Sequence, residues 1–324
     1  MMSTPSPFPH ARGLAAIAGT TLIAPSIKVL YTPTTKVACS TIKLMLAQAE
    51  GTHRPELIEK LITANISRSQ TIHNPVISGL TRLIDLPERE AQRILHDPEW
   101  VRIAALRDPL ARSYSAWENR IFMRAPGKTD RAIELCQDVV VDGRIDMAGS
   151  FALFAKMIAE YTDDFTIDHH FLPQCHVVRT DIIDYNVLIR VDVPGEMKKI
   201  EDVLSERSGK VITASRLNEG TGIKVHDVCD VHSANRLMAV YHMDYDAFGF
   251  ERKSYPAEVA PHLLSPTETQ LVHLLRNSVE RLQGISVAAQ MRIGIRYGLR
   301  QIRKSLMRRL TFGRMYNNRR KIYW

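Results

Sequence analysis

The stretch KVLYTPTTKVACSTIKLMLAQAEG, residues 28–51, predicts a strand, a polar loop and a helix in close succession. Residues 28–31 form a short β-type run that Pro33 closes. Apolar residues then recur at helical spacing from about Ser40 until Gly51 ends the pattern. Free backbone N–H groups and the positive end of the helix dipole make such a junction a binding site for anions.

The loop before this helix carries side chains that suit an anion. Lys36 adds a mobile cation, and Ser40 and Thr41 add hydroxyl donors at the start of the helix. The loop lacks the G-x-x-x-x-G-K-[ST] sequence of ordinary P-loop ATPases. An alternative is a plain capped helix beside a solvated lysine. A nucleophilic Cys39 is a further alternative, but a phosphatase-type loop would carry arginine where Met45 stands, which favours a small buried cysteine.

A second strand also ends in a polar turn. Residues 100–106 (WVRIAAL) predict a buried strand that stops at Arg-Asp-Pro, and residues 110–123 predict the helix that follows. Arg107 leaves the end of the strand, and Ser115 lies about two turns into the helix. Together they could bind a second phosphate, with the guanidinium in bidentate contact. The alternative is a turn in which Asp108 caps the helix.

Strands and helices alternate along the rest of the chain. The pattern predicts a strand at 187–191, a linker at 256–266, and helices at 81–94, 150–161, 196–207 and 267–282. This alternation implies an α/β fold in which a central, mainly parallel β-sheet is flanked by helices. A helical, basic C-terminal extension follows that fold.

The charge of the chain is unevenly distributed. The formal net charge is +8, but residues 281–324 contain twelve of the 43 Lys and Arg and none of the 35 Asp and Glu. Residues 1–280 therefore carry a formal charge of −4. The four cysteines form no Cys-x-x-Cys pair, which favours a reducing compartment. No apolar run reaches the roughly 18 residues that span a bilayer, and residues 14–24 are too short and polar for a signal peptide, so we expect a cytoplasmic protein.

Within residues 281–324, here called the basic tail, the sequence from Arg292 onward predicts an amphipathic helix. One face carries apolar side chains and another carries arginine and lysine, and the apolar set is Ile295, Leu299, Ile302, Leu306 and Leu310. Three partners fit this pattern. The tail could pack on its own domain or on a second copy of the chain, or it could lie on an anionic membrane surface. Nucleic acid is the least favoured of the three.

The two loops together resemble the carbohydrate sulfotransferase family, whose members use 3′-phosphoadenosine 5′-phosphosulfate (PAPS). The resemblance rests on Lys-Val-Ala-Cys-Ser after the first strand and Arg-Asp-Pro-x-x-Arg-x-x-Ser-Ala some seventy residues later. The segments His170–Gln174, Leu217–Asn218 and Tyr241–Phe250 are also similar to family elements. Two positions depart mildly from the family pattern, because Thr35 replaces a usual proline and Arg190-Val191-Asp192 replaces a usual Lys/Arg-Phe-Glu.

The resemblance implies a P-loop-like fold and a set of site residues. It implies that the first loop holds the 5′-phosphosulfate through Lys36, Val37, Ala38, Cys39, Ser40 and Thr41. It implies that Arg107 and Ser115 hold the 3′-phosphate. It covers about residues 25–252 and so implies a catalytic domain there, after an N-terminal segment (1–24) and before a linker and Arg-rich extension (253–324).

The implied reaction transfers a sulfuryl group from PAPS to a hydroxyl of a carbohydrate or glycoconjugate, and no metal is expected. Lys36 would stabilise the bridging oxygen. The acceptor hydroxyl must lose a proton, and His73 is the predicted base, with His170 as the rival or as a substrate contact. Arg68 is a second predicted substrate contact. Two other classes stay open: a nucleotide-dependent kinase with an atypical loop, and a non-catalytic protein that binds anionic surfaces through the basic tail.

Overall fold

The computed structural model describes residues 13–58, 68–215 and 220–283, together with Leu299 and Leu306. Within these ranges the strands are β1 (Leu22–Ala24), β2 (Val29–Thr32), β3 (Thr81–Arg82), β4 (Val101–Leu106), β5 (Val139–Val141), β6 (Arg144–Asp146) and β7 (Val187–Arg190). The central sheet has the order β3-β1-β2-β4-β7, and β5 and β6 form a separate hairpin. β2, β4 and β7 are parallel to one another, and β1 is antiparallel to both β2 and β3.

The helices surround this sheet. They are α1 (Cys39–Glu50), α2 (Pro75–Ser78), α3 (Glu88–His96), α4 (Pro109–Trp117), α5 (Asp130–Leu135), α6 (Met147–Glu160), α7 (Thr162–Thr166), α8 (Gln174–Val178), α9 (Glu196–Ser208), α10 (Val231–Val240), α11 (His242–Phe248) and α12 (266–283). Four of the five central strands point the same way, so the predicted α/β fold with a mostly parallel sheet is confirmed. In the part of the chain that is described, no helix has the length and apolarity to cross a membrane.

The alternation of side chains along β4 shows how both faces of the sheet are covered. Ile103 and Ala105 belong to a buried cluster with α1 and α9. Ala104 and Leu106 belong to a second cluster with the aromatic side chains of α4 and α6. Successive residues of a strand point to opposite faces, so one six-residue strand lies at the centre of both layers.

The sequence prediction of one helix over residues 81–94 is wrong at its start. Thr81 and Arg82 instead form β3, which pairs with β1 at the edge of the sheet. A turn at Leu83–Asp85 follows, and α3 begins only at Glu88, after Pro87. Pro fixes its own φ and restricts the residue before it, which separates this helix from the preceding strand.

The helix predicted over residues 110–123 also differs in the structure. α4 begins one residue earlier, at Pro109, because the Asp108 side chain accepts the Ala111 N–H at 2.8 Å and caps it. Its regular part ends at Trp117, and Glu118–Phe122 form a π-helical turn. Such turns are rare and are frequent at functional sites.

Residues 253–283 pack on the rest of the described chain. Val231 N donates to Pro256 O at 2.8 Å. Arg276, in α12, is 2% exposed; its Nε donates to Phe122 O at 2.6 Å, and its Nη2 donates to Asp138 Oδ1 at 2.9 Å. The division at residues 252 and 253 stays a prediction, and these contacts make it testable. The basic tail beyond Gln283 lies outside the described residues except for the exposed Leu299 and Leu306.

We expect truncation after Arg252 and truncation after Gln283 to have different effects. The first removes Arg276 and with it the hydrogen bonds to the Asp138 carboxylate and the Phe122 carbonyl, and a hydrogen bond to a charged group is worth about 1.5–3 kcal/mol. The second keeps these contacts and should leave the melting temperature unchanged. Equal melting temperatures for both truncated proteins would show that residues 253–283 are a dispensable appendage.

Candidate active site

The two predicted anion loops meet at one edge of the sheet. β2 and β4 are adjacent and parallel, and Thr32 at the end of β2 is opposite Ala104 near the end of β4. Ligands of open α/β sheets bind beyond the carboxyl ends of such strands. The loops touch there, because Arg107 Nη1 donates to the Lys36 carbonyl oxygen at 3.4 Å.

The first loop, residues 33–38, has an unusual backbone. Lys36 has a φ of 63° and Ala38 a φ of 58°, although neither is glycine. Such residues cost about 1–3 kcal/mol each and persist where the surrounding structure enforces them. Ala38 is the N-cap of α1, and no side chain caps this helix. The N–H groups of its first turn are therefore left for a ligand, and an anion fits there.

The cations beside this loop are held at an electrostatic cost. The pKa of Lys36 is lowered from 10.5 to about 8, mainly by burial; Cys39 and Glu118 oppose this shift, and Arg120 and Arg107 add to it. Burial also lowers the pKa of Lys43, which lies one turn into α1. A bound anion would offset both effects, because an opposite charge favours the charged form of an amine.

His73 lies between two residues of α1. It ends a 3₁₀ turn, Arg68–His73, and its Nε2 is 2.8 Å from Ser40 Oγ. Its Nδ1 is 3.0 Å from Lys43 Nζ. An ammonium group can only donate, so Nδ1 accepts and Nε2 carries the proton that goes to Ser40. Burial, with Lys43, Arg120 and His169, lowers the pKa of His73 to about 3, so the ring is neutral at pH 7.

A side-chain amide fixes the backbone of the second loop. Gln174 Oε1 accepts the Arg107 N–H at 3.0 Å, and Gln174 Nε2 donates to Arg107 O at 2.8 Å. Asp244, fully buried in α11, accepts the N–H groups of Gln174 and Cys175, each at 2.8 Å. Asp244 therefore anchors the N-terminus of α8 and, through Gln174, the position of Arg107. Burial lowers the pKa of Arg107. Ser115, the other residue predicted to bind this phosphate, is partly exposed in α4.

A third group lies near the loops, around Asp168. His170 is 8% exposed, and its Nδ1 is 2.5 Å from Asp168 Oδ1. Arg120 Nη2 is 3.0 Å from His170 Nε2, and Arg120 Nε is 3.8 Å from Asp168 Oδ2. Burial opposes ionisation of Asp168, but the His170 hydrogen bond and Arg120 outweigh it and lower the pKa of Asp168. The side chain of His169 is 57% exposed beside them.

Asp168, His169 and His170 also have the geometry of a possible metal site, with ligand atoms within 4.8 Å of one another. The guanidinium of Arg120 already lies against Asp168 and His170. A second cation there would be repelled by it, so this cluster is better described as an ion-pair network.

Three hydrogen bonds hold residues 215 and 221 to the helices that carry the loops or to the turn just after α4. Thr41 Oγ1 donates to Ser215 O at 3.1 Å. Glu118, a buried residue just after α4, accepts from Thr221 N at 2.7 Å and from Thr221 Oγ1 at 2.5 Å. A Cβ on Gly220 would come within 2.4 Å of Glu118 Oε2, so any other residue there would displace the Glu118 carboxylate.

The structure brings most of the predicted residues together. Arg107 contacts the Lys36 backbone, and His73 contacts Ser40 and Lys43 in the first turns of α1. Val37 is buried, so its side chain cannot face a ligand, and Cys39 is a free cysteine at the start of α1. The side chain of Arg68 and the Leu217–Asn218 element lie outside the described residues.

The sequence analysis missed several residues of this site. Lys43 could have been found, because it lies three residues after Ser40 and shares its helical face. Gln174 and Asp244 lie in the segments His170–Gln174 and Tyr241–Phe250, and the sequence alone indicated no role for either side chain. No sequence pattern indicated a role for Arg120, since its partners Asp168 and His170 are distant in sequence.

Comparison with models of known protein families identifies one that matches this chain. A model described as the sulfotransferase family matches residues 19–251, which is more than half of the chain and contains both loops. The curated proteins and the solved structures gave no match.

We expect Asp244→Ala to destabilise the protein by about 2–5 kcal/mol, because it leaves two buried N–H groups of α8 without an acceptor. Asp246→Ala is the matched control on the same helix. It removes an exposed pair with Arg252, which is worth about 0–1 kcal/mol. Urea unfolding of both variants measures the difference. Similar losses would contradict the anchoring role of Asp244.

Proposed function

Because the chain belongs to the sulfotransferase family, we propose that it transfers the sulfuryl group of PAPS to a hydroxyl of a carbohydrate or glycoconjugate and releases 3′-phosphoadenosine 5′-phosphate (PAP). The observation that carries this proposal is the contact of the two basic loops at adjacent parallel strand ends. PAPS has one anionic group at its 5′ end and another at its 3′ end, so two neighbouring anion sites suit it.

The residues of the first loop fit the phosphosulfate end. The N–H groups of the first turn of α1 have no side-chain cap, and Lys36 supplies a cation beside them. When bound, PAPS supplies an activated sulfuryl group with PAP as the leaving group. Lys36 would neutralise the charge that develops on the leaving phosphate. Arg107 and Ser115 are proposed to bind the 3′-phosphate, since both belong to the second loop and its helix.

His73 is the proposed base. In the structure its Nδ1 accepts from Lys43, so that lone pair is occupied. Lys43 and Ser40 would turn to donate to an anion at the start of α1, which frees the imidazole to take the proton of the acceptor hydroxyl. The same negative charge would raise the pKa of His73 from its low value towards neutrality.

Two further proposals concern the acceptor and the compartment. We propose that Arg68 and the His169–His170 segment lie next to the carbohydrate, with His169 as the exposed member of that pair. The four free cysteines support a cytoplasmic location. Contacts of the basic tail with a second copy or with anionic lipid remain proposals from its sequence.

A kinase would need carboxylates free to hold Mg²⁺, and three of those near the loops already have partners. Asp108 accepts the Ala111 N–H, and its second oxygen lies 3.5 Å from Lys253 Nζ. Glu118 binds Thr221, and Asp168 binds His170. These commitments favour a donor that needs no metal.

We expect PAP to stabilise the protein far more than AMP does, because AMP lacks the 3′-phosphate. At 100 times its Kd, PAP should add about 2.7 kcal/mol, seen as a rise in melting temperature. Mg²⁺-ATP is the control for the kinase alternative. A larger shift with Mg²⁺-ATP than with PAP would contradict the proposed function.

The His73→Gln variant should lose activity and keep its cofactor affinity. Transfer of ³⁵S from labelled PAPS to a glycan panel should fall about 10²–10⁴-fold, the range for loss of a general base. PAP affinity should stay within about threefold, because the base acts on the acceptor. His242→Gln, on the exposed side of α11, is the control. Full activity in His73→Gln would exclude His73 as the base.

A further inference from the structure

One arginine of the second loop's helix binds to the first loop rather than to solvent. Arg112, in α4, is fully buried, with 0% exposure. Its Nε donates to the Thr35 carbonyl oxygen at 2.9 Å, and its Nη2 donates to Thr35 Oγ1 at 3.2 Å. Its Nη1 donates to Leu172 O at 2.8 Å. One planar guanidinium thus connects residue 35 with the segment that follows His170.

The Thr35 hydroxyl adds a second connection between the same two segments. It accepts from Arg112 and donates to the His169 carbonyl oxygen at 3.4 Å. A hydroxyl has one donor and two acceptor sites, so both bonds can exist together. Thr35 directly precedes Lys36, whose left-handed backbone must be enforced by its surroundings.

We propose that Arg112 and Thr35 are positioning residues that fix the Lys36 loop against the His169–His170 segment. This inference rests on the proposed function, in which the loop holds the donor and the His169–His170 segment faces the acceptor. Arg112 cannot touch a ligand itself, because it is fully buried. It acts through the backbone carbonyl of Thr35, which is next to the residue that carries the catalytic cation.

The chain offers a matched control in Arg102. It is also buried, in β4, and it also donates to backbone carbonyls, those of Asp184 at 2.7 Å and Asp97 at 3.1 Å. It lies near the start of β4, at the opposite end of the strand from Arg107. Arg102→Lys therefore removes a similar buried fork at a distance from the loops.

The experiment measures PAP binding by calorimetry and amide hydrogen exchange at residues 36–39. Arg112→Lys should weaken PAP binding about tenfold and Thr35→Val about threefold, because the first substitution disrupts more hydrogen bonds than the second. Both should speed exchange at residues 36–39 in the free protein. Thr35→Ser keeps the hydroxyl and should behave like the wild type. Arg102→Lys should lower the melting temperature without either effect.

Equal losses of PAP affinity in Arg112→Lys and Arg102→Lys would overturn the inference, as would unchanged binding and exchange in Thr35→Val. If Arg112→Lys does not fold, the comparison of Thr35→Val with Thr35→Ser decides the matter alone. A wild-type protein that does not bind PAP would refute the proposed function instead. The hydrogen-exchange comparison would still test the positioning role.

Discussion

The parallel pairing of β2 with β4 is the constraint on which the rest of the site depends. It places the end of β2 and the end of β4 at the same edge of the sheet, so the loops that follow them must be neighbours. Residues 36 and 107 are far apart in sequence and still share a hydrogen bond. The buried residues of β4 enforce this pairing from both faces, through clusters with α1 and α9 on one side and with α4 and α6 on the other.

The edge that results is rich in buried positive charge. Lys36, Lys43, Arg107, Arg112 and Arg120 all have pKa values that burial lowers, which means that the fold holds these cations at a cost. Asp168, one of the carboxylates near them, is already paired with His170 and Arg120. A ligand with an anionic group at each end, bridging both loops, would relieve this cost. The same physics explains why His73 is neutral in the free protein and why an anion would make it a better base.

The sequence was informative where structure is local. Apolar runs closed by proline or by Arg-Asp-Pro predicted β2 and β4, and helical spacing predicted α1, so both loops were found before the fold was known. β3 was missed because two residues are too few to show the alternation of apolar and polar side chains that indicates a strand. Only their pairing with β1 makes them one. Arg120 and the role of Arg112 were missed because their partners lie in other parts of the chain. The packing of α12 depends in the same way on Asp138 and Phe122, which no pattern within residues 266–283 reveals.

We propose that the two loops hold opposite ends of one nucleotide, and the ratio of PAP affinity to AMP affinity tests this arrangement. Calorimetry on the wild type, Lys36→Ala and Arg107→Ala gives this ratio for each protein. Arg107→Ala should weaken PAP by about 1.5–3 kcal/mol, the range for a hydrogen bond to a charged group, and leave AMP unchanged, so that the ratio collapses. Lys36→Ala should weaken both ligands equally and preserve the ratio, since both carry the 5′-phosphate. Parallel losses for PAP and AMP in Arg107→Ala would contradict the claim that this loop binds the 3′ end.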